Sequence, residues 1–211
     1  WTRYLSTATQ GNADFAGYLQ RACGYSLTGL TDEEAVFLLL GDGRTGKTTL
    51  AEGMLAIMGE YAIKVAFDTF LERPRSAVGQ AREDIARMVG ARLAVACEAA
   101  DTQRLNEVML KELTGGDRVT ARFLYRDSFT FTPQVKVWLA SNHAPRVRDD
   151  DNAIWRRLRR LPFEHVIPLE QQDENVKKSI MDPEQAGRAL LAWAVKGCLS
   201  WQQLRLGLPG I

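Results

Sequence analysis

The sequence predicts an α/β domain with a mostly parallel central sheet, an inserted β-hairpin, and flanking helices at its N- and C-terminal ends. Three observations predict it. Short apolar runs alternate with segments of helical periodicity, the pattern of strands joined by crossover helices. One of those runs, Ala35 to Leu40, feeds directly into a glycine-rich turn that opens an amphipathic helix. A chain of 211 residues, 45% of them hydrophobic, is enough for one well-packed core and a small appendage.

The elements follow in order. Trp1 to Leu30 reads as short helices; Phe15, Leu19 and Cys23 fall at helical spacing, and Gly24 is placed to end that helix. Ala35 to Leu40 is a buried parallel strand stopped by glycine. Thr48 to Gly59 is a helix with Leu50, Met54 and Ile57 on one side. Tyr61 to Phe67 alternates and suggests a second strand. Gly79 to Val89 is helical, with Ile85 and Met88 apolar and Gly90 closing it. Ala91 to Cys97 is a strand, and Leu105 to Leu113 a helix ended by Gly115-Gly116. Val119 to Phe131 alternates on both sides of a polar tip, Arg126-Asp127-Ser128, and reads as a hairpin held in register by Phe123, Tyr125, Phe129 and Phe131. Val135 to Ala140 is a further core strand. Pro183 to Leu204 is a C-terminal helix with Leu190, Ala194, Cys198 and Trp201 on one face.

Net charge is +1, so any contact with nucleic acid has to come from a local patch. Cys23, Cys97 and Cys198 lie far apart with neither pairing nor metal spacing, which suits free thiols in a reducing compartment. No secretory signal pattern is present, and no apolar run is long enough to span a bilayer.

The glycine-rich turn carries the chemistry. Gly41-Asp42-Gly43-Arg44-Thr45-Gly46-Lys47-Thr48 fits G-x-x-x-x-G-K-[ST] at every position, with Thr49 next. Glycines let backbone N–H groups converge on phosphate oxygens, and the helix that starts here aims its positive end at the same anion. Lys47 is placed to reach the β- and γ-phosphates of a nucleotide, and Thr48 to give Mg²⁺ a hydroxyl. A phosphate cradle of this kind needs an acid on a neighbouring strand. Glu98, at the end of "ARLAVACE", is that candidate; the bland reading is an exposed strand-end glutamate. Asn142, in "VKVWLASN", ends another core strand and can hydrogen-bond the γ-phosphate or the attacking water, unless it is an ordinary turn asparagine.

"DNAIWRRLRRLPF" holds Arg156, Arg157, Arg159 and Arg160. A charge run is usually a solvated face. An arginine given to a neighbour's γ-phosphate instead raises hydrolysis by about 10³ to 10⁵. Arg157 is the best single choice for that role, which implies subunits related head to tail. The hairpin arginine Arg126, with Lys111, Arg118 and Arg122 as secondary candidates, is placed to meet a nucleic-acid backbone, or else decorates a structural hairpin; the residues leave both open. The cradle and "TTLAEGMLAIMG" equally suit a phosphotransferase acting on a small metabolite.

Taken together, "GYSLTG", "GDGRTGKTT", "GARLAVACE", "LKELTGGDRVTARFLY", "ASNHAP" and "DNAIWRRLRRLPF" resemble the superfamily 3 helicases of the AAA+ group. They look most like the C-terminal helicase domain of phage and plasmid primase–helicases, related to the poxvirus type. The resemblance implies an AAA+-like P-loop domain that binds ATP and Mg²⁺. It implies a homo-oligomer, a hexameric ring, moving 3′ to 5′ on single-stranded DNA in the cytoplasm of a bacterial host. It assigns Lys47 and Thr48 to nucleotide and metal, Glu98 to the acid motif, Asn142 to the sensor, Arg157 to the inserted finger and Arg126 to the DNA loop. The acid motif departs from the pattern, since only Glu98 stands where some members have two acids. The primase region common in the family is not in this chain. Residues 1–30 are then an N-terminal helical segment, the remnant of an oligomerisation collar. Residues 31–168 form the ATPase core, and 169–211 a C-terminal helical segment.

Overall fold

A computed structural model describes residues 1–72, 82–97, 104–148 and 152–208. Within these, the chain runs α1 (Thr2–Ala8), α2 (Ala13–Ser26), β1 (Val36–Leu40), α3 (Lys47–Met58), β2 (Ala62–Lys64), α4 (Glu83–Ala86), β3 (Leu93–Cys97) and α5 (Glu107–Thr114). It continues through β4 (Val119–Ala121), β5 (Phe129–Phe131), β6 (Lys136–Ser141), α6 (Asn152–Arg157), β7 (Leu158–Pro162), α7 (Glu174–Met181) and α8 (Ala186–Leu204).

Five strands form a parallel sheet in the order β2-β3-β6-β1-β7. Because every neighbouring pair is parallel, the C-terminal ends of β1, β3 and β6 lie at one end of the sheet. Alternation within each strand divides the side chains between two hydrophobic layers. Phe37, Leu39, Val95 and Trp138 face a layer built by α1, α2, α3, α7 and α8. Val36, Leu38, Ala96 and Leu139 face a layer built by α4, α5, α6 and the β4–β5 hairpin. Both faces are covered, which is why these strands read as continuous apolar runs.

Several sequence expectations change. Gly24 does not end α2. It lies inside the helix where α2 crosses α8, and a Cβ there would stand 2.0 Å from the Cys198 backbone nitrogen. Gly197 makes the reciprocal approach, 1.9 Å from the Gln20 carbonyl oxygen to a would-be Cβ. The second strand is confined to Ala62–Lys64, because Phe67 and Phe70 enter a 3₁₀ turn and bury in the second layer. The helix expected over Gly79–Val89 is a single turn, Glu83–Ala86, followed by turns to Gly90; residues 79–81 lie outside the described residues. The arginine-rich run, to which the sequence reading gave no element, ends a helix and opens a strand. Leu158–Pro162 is an edge strand parallel to β1, and its charged side chains mask the edge pattern from sequence reading. Helix α7 lies within the expected C-terminal helical segment but was not placed individually; Glu52 of α3 pins it by pairing with Lys177 at 2.5 Å, and also pairs with Lys64 at 3.1 Å.

The terminal segments pack as one layer with the core. Trp138 of β6 donates its indole N–H to the Ser26 hydroxyl at 3.0 Å, tying α2 to the sheet. The Tyr25 and Trp201 rings pack at a tilt between α2 and α8 with centroids 4.8 Å apart. Lys136 is almost fully buried at the start of β6. Its ammonium donates to the carbonyls of Thr28, Leu30 and Gln134 and so fixes the loop beneath β6. Cys23, Cys97 and Cys198 take part in no disulfide among the described residues. Among the described residues no helix is long and apolar enough to cross a membrane.

Candidate functional site

The buried strand β1 ends at Leu40, and the chain turns back through the glycine-rich loop into α3. Gly41 has φ +148°, and a Cβ there would lie 1.9 Å from the Phe163 carbonyl oxygen, so only glycine lets the loop press against the chain leaving β7. Gly46 has φ +93° and forms the N-cap of α3. The loop, with Gly43 to Thr49, lines a cavity of about 330 Å³ together with Cys97 at the end of β3 and Ala140, Ser141 and Asn142 at the end of β6. Three segments distant in sequence therefore meet at the N-terminus of a helix whose first N–H groups have no partners within the helix.

Thr48 and Asn142 are both exposed toward solvent and both border this cavity. Lys47 is buried. Its ammonium folds back onto the loop, donating to the carbonyls of Gly41 at 2.5 Å and Asp42 at 2.6 Å and to the Thr45 hydroxyl at 3.2 Å. Burial lowers its pKa, and the Asp42 carboxylate partly opposes that shift. Glu98 follows Cys97 directly but lies outside the described residues. Among the described residues no group of three or more His, Cys, Asp or Glu side chains is gathered to hold a metal. The cavity offers neutral oxygens, among them the exposed Thr48 hydroxyl at the start of α3, which suits a magnesium ion that takes its other oxygens from phosphate and water.

Tyr4 is the residue at this site that sequence reading missed. Its hydroxyl donates to the Gly46 carbonyl at 2.9 Å across 42 residues of chain, and its ring would touch a Cβ at Gly46 at 3.0 Å. The Trp1 ring lies tilted against Tyr4 (5.3 Å) and meets Trp193 of α8 edge-on (4.9 Å), so α1 clamps the loop to the helical layer. Burial raises the Tyr4 phenol well above its ordinary value and keeps it a donor. The only sequence signal was the Trp1–Tyr4 spacing of one helical turn, and that does not point to a partner. Beside the clamp, Arg44, Gly46 and Thr49 also border a second cavity of about 310 Å³, whose other wall includes Thr7, Ile167, Gln171 and Val176.

The remaining candidates lie elsewhere. Arg157 ends α6, just before β7 enters the sheet beside Val36, so it stands at the end of the sheet opposite the cradle. Its guanidinium pairs with Glu34 at 2.6 Å and donates to the Ala153 carbonyl at 3.0 Å, with the side chain only 14% exposed. Arg156, next to it, is exposed. Lys111 is half-buried on α5, while Arg118, Arg122 and Arg126 are exposed along the hairpin. The hairpin turn also moves from the expected tip. The Arg126 N–H bonds the Phe123 carbonyl at 3.1 Å, so Leu124 and Tyr125 form the apex, and Tyr125 does not hold the strands together.

The cradle strand, flanked by the asparagine strand on one side and the arginine strand on the other, defines an α/β P-loop domain. The chain belongs to the family described as DUF5906, a family of unknown function, which matches residues 39–160. It is 32% identical over 146 residues to a provisionally named helicase of Acanthamoeba polyphaga mimivirus, covering 69% of this chain and 15% of the relative. It is 32% identical over 154 residues to a provisionally named helicase of Frog virus 3, covering 71% of this chain and 16% of the relative. A provisionally named primase of African swine fever virus is 28% identical over 163 residues, 72% of this chain and 17% of the relative. The chain thus spans 15% to 17% of the length of these relatives. Among solved structures, the apo C-terminal region of NrS-1 superposes with a TM-score of 0.68 at 12% identity, over 93% of this chain and 44% of that one, which establishes the shared fold. The names of the viral relatives agree with the primase–helicase group that the motifs resemble.

Proposed function

We propose that this domain is the ATP-driven motor of a replication helicase, working on single-stranded DNA as a ring of like subunits. The observation that carries the reading is the convergence of the cradle, the end of β3 and the end of β6 on one cavity. In this reading the loop N–H groups and Lys47 hold the polyphosphate, with phosphate oxygens replacing the loop carbonyls that now occupy the lysine. Thr48 holds Mg²⁺, which when bound neutralises charge on the phosphates. Glu98 polarises the attacking water, and Asn142 orients it from the end of β6. The second cavity, adjacent through Gly46, takes the nucleoside end between the apolar faces of Ile167 and Val176.

The arginine pair completes the site in trans. Arg157, the sequence choice, is committed to Glu34 within its own chain, so the exposed Arg156 is the group inserted into the next subunit's cradle, and Arg157 sets the angle of α6. Such an arrangement needs a head-to-tail ring, because donor and cradle lie at opposite ends of one sheet. The hairpin then carries the DNA contact, and a primase region belongs to a longer parent chain.

The test is the ATPase rate of purified protein with and without single-stranded DNA. The reading expects stimulation by DNA and loss of hydrolysis in Lys47→Ala. Arg156→Ala should lose about 10³-fold in rate while still binding ATP, and partial turnover should return on mixing with Lys47→Ala protein. A rate indifferent to DNA and to protein concentration, dependent instead on a small phosphoryl acceptor, overturns the motor in favour of a phosphotransferase. Hydrolysis that survives Arg156→Ala but dies in Arg157→Ala returns the finger to Arg157.

A further inference from the structure

The apex of the hairpin carries a side chain that no packing among the described residues explains. Tyr125 is 96% exposed and has φ +59°. It occupies the third position of the turn closed by the Arg126 N–H and the Phe123 carbonyl, a place where positive φ makes glycine the default residue. A bulky L-residue in that conformation is a backbone outlier, and outliers of this kind concentrate at ligand contacts. The stalk beneath it is stiffened. Phe123 stacks on Phe129 at 5.9 Å with planes 25° apart, Phe129 meets Phe131 at 6.0 Å, and the Thr120 and Thr130 hydroxyls are 3.2 Å apart. The stack leaves Leu124 and Tyr125 outermost, 56% and 96% exposed.

We propose that Tyr125 is a base-stacking contact, its ring lying on the face of one base of a single strand. This rests on the reading of the hairpin as the nucleic-acid contact, and it adds what the arginines do not supply. Arg118, Arg122 and Arg126 along the hairpin offer positive charge to a backbone, against Asp117 and Asp127. Charge alone holds phosphates. An aromatic apex adds a face that every base matches, which is how strands are gripped without reading sequence. The shape favours this occupant over a protein: the apex presents a single ring and a leucine, far short of the area a stable protein interface buries. The strained backbone presents the ring outward instead of letting it fold back on Phe123.

The experiment uses the whole chain, a labelled oligothymidylate, and an abasic oligomer of the same length. Tyr125→Ala should weaken oligothymidylate binding about 5- to 150-fold, the range expected for loss of one stacked base. Tyr125→Phe should bind as wild type. On the abasic oligomer, wild type and Tyr125→Ala should bind alike. Tyr125→Trp should be quenched by oligothymidylate and not by the abasic strand. Tyr125→Gly controls for folding, since it relieves the positive φ and should keep its melting temperature while losing affinity. If Tyr125→Ala binds oligothymidylate normally while Arg126→Ala does not, stacking is overturned and the hairpin reading stands. If wild type binds neither oligomer, the hairpin reading falls and takes stacking with it.

Discussion

Replacing Tyr4 by Phe removes one oxygen and leaves the ring, so it isolates the tether between α1 and the phosphate loop. The lost bond is the 2.9 Å donation to the Gly46 carbonyl. That carbonyl also accepts the Leu50 N–H at 3.1 Å, so it is not orphaned and the penalty stays near that of an ordinary hydrogen bond, about 1 kcal/mol. The aromatic contacts to Trp1 and Trp193 need no hydroxyl and should persist. The Gly46–Lys47 peptide is planar, so its carbonyl and the Lys47 N–H turn together. Freeing the carbonyl loosens a donor of the cradle and the start of α3. If that order is needed for nucleotide, the same ~1 kcal/mol appears as about fivefold weaker binding. The assay pairs urea denaturation with titration of a non-hydrolysable ATP analogue. A stability loss of about 1 kcal/mol with an unchanged dissociation constant would show that Tyr4 only packs, and the clamp argument would fail.

Two further outcomes follow from the packing. Gly24→Ala places a methyl group 2.0 Å from backbone nitrogen that no rotamer change can move. Forcing α2 from α8 is worth about 3 kcal/mol against, less about 1 kcal/mol of helix propensity gained, so urea unfolding should show about 2 kcal/mol of net destabilisation; a neutral result would mean the crossing is not tight. The alkaline limb of stability is set by buried acids held neutral. Burial raises the Cys23 thiol and the Tyr4 and Tyr25 phenols, and lifts Tyr18 to about 12. Each group binds its proton more tightly folded than unfolded. Their contribution is therefore complete below the ordinary values of 9.0 for the thiol and 10.0 for the phenols, and declines as pH rises past them. Burial lowers Lys136 from 10.5 to about 7, an opposite contribution that grows until about pH 10.5 and offsets the thiol. Melting temperature should therefore fall above pH ~10, where the phenols join, and Cys23→Ala should lessen the fall.

Much of the sheet was legible because its signals are local. The run Val36–Leu40, the glycine spacing that follows, and the alternation of Val119–Phe131 are set by neighbours within a few residues. Two elements escaped for identifiable reasons. In β7, arginines at an exposed edge hide the strand pattern behind a charge run. In α7, the apolar face reduces to Val176 and Ile180 among polar residues, too sparse to announce a helix until Glu52 and Leu190 are there to receive it. The hairpin was expected, but its apex was misplaced by two to three residues, since polarity suggested Arg126-Asp127-Ser128 and the turn closes at Phe123–Arg126. For the cradle the residue types alone indicated phosphate, because the constraint is steric and sits in the loop itself.

By itself the sequence determined the glycine-rich turn between strand and helix, the succession of most strands along the chain, and the neighbourhoods in which an acid, an asparagine and an arginine were to be sought. Only the tertiary structure decided that Asn142 borders one cavity with the glycine-rich loop, that Arg157 pairs with Glu34 while Arg156 is exposed, and that Tyr4 holds the loop from 42 residues away. The division has one cause. Periodicity and steric tolerance act between near neighbours and are written in spacing, whereas a pairing across the fold depends on where the whole chain brings two segments together.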